Sequence, residues 1–331
     1  MSSTKKVEKK RKIRPKCGRI VITTKQFRHT EEDFPMIEQL TEIFCDIDDF
    51  SKGYEEYCTQ HLLMDKKHVI PRTSMSMSEI MTIVICFHLS HYRCFKWYYM
   101  DYVRVHLREY FPRLLSYNRF VEIMPSVIAP LTLYIMKYRL GKTSGINFMD
   151  STTLKVCDSH RIHSNRVFSR IAKRGKSSTG WFYGFKLHLA INDRGEILSF
   201  CLTTGNIDDR NWDVIDRLTR HMYGKLFADK GYLSPKLFER LWDRGIQLIT
   251  KVKKNMKNKL MEYTDKLLLR KRAIIESVND FLKNVCQIEH SRYRSFSGFL
   301  VNVISGLAAY SFLPNKPSLG FSWDNSALLQ A

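Results

Sequence analysis

The sequence predicts an α/β protein: a mixed-sheet domain over about residues 145–313, preceded by an α-helical region over about residues 36–140. Three observations carry this prediction. From Pro35 to Leu140 apolar residues recur at helical spacing, without strand alternation. At Gly145 the texture changes to short runs of period two, the mark of strands. Beyond those runs strands and helices take turns, the pattern of a sheet covered by helices.

In the first half, Ser76-Met77-Ser78-Glu79 has capping-box spacing and the apolar run Ile80 to Phe87 follows. Ser116 to Tyr138 is helical in periodicity, with Pro125 and Pro130 expected to break or kink it. Five or six helices are expected here. In the second half, Ile146 and Phe148 flank Asn147 in a short strand closed by Asp150. Trp181 to Ile191 and Leu198 to Leu202 alternate about the turn Asn192-Asp193-Arg194-Gly195, which reads as a β-hairpin with Lys186 and His188 on its polar side. A helix over Trp212 to Met222 and a strand over Lys225 to Ala228, ending at Asp229, come next. Ser234-Pro235 opens a helix to Asp243. Ile246 to Thr250 is a strand, and Asp265 to Val285 a long helix.

Composition narrows the function classes. The chain has 331 residues, 44% of them hydrophobic and 12% aromatic, too many for a disordered polymer. It carries 54 Lys and Arg against 33 Asp and Glu, a net charge of +21 that calls for a polyanionic partner. The eight cysteines are scattered without a Cys-x-x-Cys pair, and the N-terminus lacks an apolar leader, so a reducing cytoplasmic setting is expected. No transmembrane helix is expected: Ile80 to Leu89 is short, and Phe299 to Leu313 is broken by Asn302 and Ser305.

The charge is uneven. Residues 1–28 hold 11 bases and one acid, the pattern of a basic arm, whereas residues 31–60 hold ten acids and one base. Residues 151–186 carry Lys155, Arg161, Arg166, Arg170, Lys173, Arg174, Lys176 and Lys186 against Asp158 alone. A loop of that charge directly after a strand is placed to track a DNA backbone. Lys251, Lys253, Lys254, Lys257 and Lys259 form a second cluster.

Three carboxylates sit where chemistry is possible. Asp150 and Asp229 end strands, and Glu276 lies inside the long helix. Brought together unpaired they repel, and two divalent cations would neutralise them and act on a phosphodiester. Hard oxygen donors suit Mg²⁺ or Mn²⁺. Arg272, Glu276 and Lys283 fall within about 40° of one another on an ideal helix. The stripe Leu267, Ile274, Val278, Phe281 and Val285 lies opposite, so a plain solvated charged face fits as well. Asp208 or Asp209 is an alternative to Asp229 as the second acid. Cys157-x-x-His160-x-x-His163 has zinc-like spacing but shows no fourth ligand.

These residues carry a resemblance. Asn147-Phe148-Met149-Asp150-Ser151-Thr152 and Ala228-Asp229-Lys230-Gly231-Tyr232 resemble the two aspartate motifs of bacterial insertion-sequence DDE transposases. Arg272, Glu276 and Lys283 are similar to the Arg, Glu and Lys of that family's Tyr-Arg-Glu-Lys signature, with Leu269 at the Tyr position. Arg174 to Ser178, Trp181 to His188 and Ile47-Asp48-Asp49-Phe50 most resemble the group numbered nine-eight-two.

The resemblance implies an RNase H-like catalytic domain over 145–313. A helical DNA-end-binding region over 36–140 would precede it, with a basic extension over 1–35 and a tail over 314–331. It implies that Asp150, Asp229 and Glu276 are catalytic and bind two Mg²⁺ or Mn²⁺ ions. Arg272 and Lys283 would contact DNA phosphate, alongside the basic residues 155–176. The implied reaction is cleavage at the element's terminal inverted repeats and joining of the freed 3′-hydroxyl to target DNA, without a covalent protein–DNA intermediate. The implied partners are DNA and a second copy in a homodimer, with no membrane. A catalytically inactive, transposase-derived DNA-binding protein is the alternative.

Overall fold

The structure, a computed structural model, describes residues 34–61, 73–177, 180–251, 261–290 and 293–320. The basic arm, Lys253, Lys254, Lys257, Lys259 and the residues from 321 onward lie outside the described residues.

The helical half begins with α1 (Phe34–His61) and α2 (Met77–Leu89). The capping box forms as its spacing predicts: Ser76 Oγ accepts from the Glu79 N–H, and Glu79 accepts from the Ser76 N–H at 2.7 Å. Ser76→Ala leaves the Glu79 N–H without its side-chain acceptor and is expected to lower stability by about 1 kcal/mol in urea unfolding. A loss below about 0.3 kcal/mol would show the cap to be idle. α3 runs from Phe95–Trp97 through a wide π turn, Tyr98–Val103, to Arg104–His106.

α4 spans Tyr117–Arg139. As expected, Pro125 interrupts its α-helical course: the α-helix stops at Ile123, tightens into a 3₁₀ turn, Met124–Val127, where the missing N–H does least harm, and resumes at Ile128. α4 is long and apolar enough to cross a membrane by length and composition, but Phe120, Ile123, Val127, Leu131, Tyr134 and Ile135 are buried in the protein core. The Ile47-Asp48-Asp49-Phe50 motif ties these helices together. Ile47 is fully buried, Asp48 accepts from Ser78 Oγ at 2.8 Å, and the Phe50 ring packs on Tyr134 and Tyr138.

The second half is a six-stranded mixed sheet: β1 (Ile146–Cys157), β2 (Lys173–Ser177), β3 (Gly180–Asn192), β4 (Ile197–Thr204), β5 (Gly224–Ala228) and β6 (Ile246–Thr250). β4, β3 and β1 are antiparallel neighbours; β5 joins β1 in parallel and β6 joins β5 in parallel. This is RNase H-like order, with β2 added on the edge of β3 beyond the end of β4. Gly195 turns the β3–β4 hairpin at φ +70°, a conformation that a side chain disfavours.

The helices α5 (Trp212–Thr219) and α6 (Pro235–Trp242) bury Ile215, Leu218, Leu237 and Leu241 with Met149, Ala190, Leu226 and Leu248. The alternate residues Phe148, Leu189, Phe227 and Ile249 join the larger core with α2, α4 and α9 (Phe296–Phe312). That core is continuous from the helical half into the sheet.

Three sequence expectations change. β1 does not end at Asp150 but runs on to Cys157, because β3 continues to pair with it there after β5 has stopped. Lys186 and His188 are not on a solvated side: β3 is an interior strand covered on both faces, and both residues are buried. The long helix is interrupted. α7 (Tyr263–Lys271) stops at Arg272, α8 (Ala273–Asp280) follows, and the last turn, Phe281–Val285, is a π turn. The break shifts the buried stripe, so Leu268 and Leu269 are inside while Leu267 is 37% exposed.

Candidate active site

β1 and β5 run in parallel with Met149 opposite Ala228. The next residues are Asp150 and Asp229, which therefore stand side by side where the two strands part. Each strand is apolar up to that point and is anchored by buried neighbours: Phe148 and Phe227 stack at 5.4 Å, and Ala228 is fully buried. Of the three candidates for the second acid, Asp208, Asp209 and Asp229, the register sets Asp229 beside Asp150.

Glu276 comes to the same place from α8, which packs on β1 through Ile274, Ile275 and Val278. Arg272 joins the acids. Its guanidinium is 2.5 Å from Glu276 and 3.9 Å from Asp150. Glu276 is the most open of the acids, 58% exposed, while the Asp150 side chain is 22% exposed. Burial pushes the Asp150 carboxyl up to about 6; Arg272 and the Ser151 N–H oppose the rise, and the Asp229 and Glu276 charges add to it. One cation is thus too little for three carboxylates in a half-buried place.

That is the electrostatic condition for a divalent cation, and the donors are hard oxygens suited to Mg²⁺ or Mn²⁺. Among the described residues no group of three or more His, Cys, Asp or Glu side chains is already drawn around one ion position. The donor chemistry fits, while the Glu276 carboxylate is held by Arg272 instead of being closed against Asp150 and Asp229.

Lys283 lies near this cluster but is engaged. Its Nζ donates to the Thr153 carbonyl at 2.6 Å and pairs with Glu289 at 2.9 Å, fastening the end of the helix to β1. Glu289 also accepts from the Lys155 N–H. In this arrangement Arg272 and Lys283 both spend their charge inside the protein. Lys155, Arg161, Arg166, Arg170, Lys173, Arg174 and Lys176 are all exposed, along the end of β1, the 3₁₀ turn Ser159–Ser164, the link that follows it and β2.

Behind Asp150 is a polar cluster whose members the sequence does not bring together. Lys186 Nζ donates to Asp209 Oδ1 at 3.0 Å and to the Ile207 carbonyl at 2.9 Å. Ser151 Oγ donates to the same Asp209 oxygen at 2.9 Å. His188 shares a hydrogen bond with Thr203 and sits 3.9 Å from Asp209; burial lowers its pKa to about 4, so it is neutral at pH 7. Two polar residues two apart in the middle of a strand that is otherwise apolar from Trp181 to Ile191 were the available signal. Asp209 thus holds the residue next to Asp150 and does not stand beside Asp150 as Asp229 does.

A cleft of about 990 Å³ opens beside Asp229. Its walls carry Arg174, Lys176, Lys230 and Lys251, together with Trp181 and the Asp208–Arg210 pair. A second cavity of about 1080 Å³ lies between α2, α3 and the start of α9, with none of the three carboxylates in its lining.

Residues 140–296 match the family model described as a transposase DDE domain, and the span contains all three carboxylates. The chain resembles the DDE transposases over that span. It is also similar to a solved structure of the piggyBac transposase synaptic complex with hairpin DNA, at 12% identity and a TM-score of 0.38, over 89% of this chain and 68% of that one. No curated protein sequence matches the chain.

Proposed function

We propose that the chain is a DDE transposase: a metal-dependent DNA nuclease and strand transferase acting at the ends of a mobile element. The observation that carries this reading is the Asp150–Asp229 pair at the parting of two parallel strands, with Glu276 turned toward it through Arg272. The match to a transposase DDE domain covers the same residues.

Asp150, Asp229 and Glu276 would hold two Mg²⁺ or Mn²⁺ ions. Bound there, the ions supply charge neutralisation at a phosphodiester and make an attacking water or 3′-hydroxyl more acidic. The chain's own residues do the rest. Burial of Asp150 keeps the site at low dielectric, where each charge acts more strongly. Arg272 offsets part of the carboxylate charge, and Lys283 fixes the helix that bears Glu276 against β1. The exposed bases from Lys155 to Lys176 hold the DNA backbone without reading sequence. Attack by water gives a 5′-phosphate and a 3′-hydroxyl, and that hydroxyl then attacks a target phosphodiester. The helices over 36–140 bind the element's ends, and two chains pair two ends.

The test is strand cleavage and joining on DNA bearing the element's terminal repeats, with and without Mg²⁺. Mg²⁺-dependent nicking at the repeat boundary is expected. Activity that persists in Glu276→Ala would remove Glu276 from the site. Tight end binding with no cleavage in Mg²⁺ or Mn²⁺ would favour the inactive DNA-binding protein, a reading that the Arg272-bound state of Glu276 keeps in play.

A further inference from the structure

The cleft beside Asp229 contains a group that phosphodiester chemistry does not need. Trp181 is 67% exposed, more than any other tryptophan among the described residues. Its ring stands directly across the β2–β3 ladder from Lys176, whose ammonium is 5.8 Å from the ring centroid. The wall behind it is closely built: a Cβ on Gly175 would fall 2.1 Å from the Gly205 carbonyl oxygen. Trp97 and Trp242 are almost as exposed; what sets Trp181 apart is that it lines a basic cleft beside Asp229.

The charges around Trp181 narrow the partner. Lys186 and Arg210 are neutralised by Asp209 and Asp208. No ion pair engages Arg174, Lys176, Lys230 or Lys251 among the described residues. The cleft therefore offers one aromatic face, over which Lys176 lies, and three further cations without an ion pair, beside a carboxylate of the proposed cleavage site. An aromatic platform within a basic groove is the chemistry that recognises single-stranded nucleic acid. In a duplex each base is covered by its neighbours, so a π-face is available only on an unpaired or terminal base.

We propose that this cleft receives an unpaired nucleotide, its base stacked on Trp181 and its backbone held by Arg174, Lys176, Lys230 and Lys251. The assignment rests on reading the carboxylates as a DNA-cleaving site, and it names the form of DNA that lies next to that site.

The experiment measures binding of the full chain to a labelled oligonucleotide of about 12 bases and to its duplex, by fluorescence anisotropy in EDTA. Trp181→Ala is expected to weaken single-strand binding by about tenfold or more while duplex affinity stays within about twofold. Trp181→Phe keeps an aromatic face and is expected to retain single-strand affinity within about threefold. Lys230→Ala weakens both forms and lowers the salt slope by about one. Equal effects of Trp181→Ala on both forms, or no effect on either, overturn the cleft assignment and leave the DNA reading standing. Failure of wild type to bind either form overturns both.

Discussion

Asp150→Asn is expected to raise the unfolding free energy at pH 7 by about 2–3 kcal/mol while lowering strand cleavage by about a thousandfold or more. The stability gain follows from the environment of the carboxyl. Its pKa is raised from 3.8 to about 6, first by burial and then by the charges of Asp229 and Glu276. The folded protein thus holds the proton more tightly than the unfolded chain does. The native carboxyl carries no penalty below about pH 4, where both states are protonated, and the penalty builds as pH rises through 6. The advantage of the Asn variant should be absent at pH 4, grow between 4 and 6, and be level above 7. Urea unfolding across that range measures it. Saturating Mn²⁺ should shrink the difference, because only the wild type keeps a full set of donors. An Asn variant less stable than wild type at pH 7 would show that Arg272 already compensates Asp150.

Lys186→Met is expected to lower stability by about 2–3 kcal/mol. Lys186 is nearly buried and donates to both Asp209 and Ile207, so its loss removes the Asp209 countercharge, leaving the Ser151 hydroxyl on that carboxylate, and takes the Lys186 donor from the Ile207 carbonyl. Asp209 is 33% exposed, which places the effect toward the lower end of what breaking a buried pair costs. The same change loosens Ser151, whose N–H supports the Asp150 carboxylate, so cleavage should fall as well. Urea unfolding and a cleavage assay on the same preparation read the two effects. A change in stability below about 0.5 kcal/mol would mean that water satisfies Asp209 equally well.

Much of this architecture is legible in the residues. The hairpin turn, the strands before Asp229 and at Ile246–Thr250, and the Ser76 cap each follow from local chemistry: turn residues, period two, an N-cap hydroxyl. The positions of Asp150 and Asp229 at the end of apolar runs follow too. What local pattern does not give is set by pairing partners. β1 outlasts Asp150 because β3, distant in sequence, extends beside it from Ser151 opposite His188 to Cys157 opposite Tyr183. Lys186 and His188 are inside because helices from other parts of the chain cover β3. The helix bearing Glu276 breaks at Arg272, whose guanidinium is drawn to Asp150 and Glu276, so equal spacing along one ideal helix misstates where Lys283 ends up. Trp181 read as one more member of an alternating strand; its place across from Lys176 comes from pairing with β2.

The central claim is that Asp150, Asp229 and Glu276 form one divalent-metal site, and Mn²⁺ binding tests it without relying on activity. Free Mn²⁺ would be followed by electron paramagnetic resonance as the full chain is titrated, for wild type and for Asp150→Asn, Asp229→Asn and Glu276→Gln. Saturable binding by wild type, weakened about tenfold or more in each variant, is the predicted result. Mn²⁺ affinity unchanged in all three variants would contradict it.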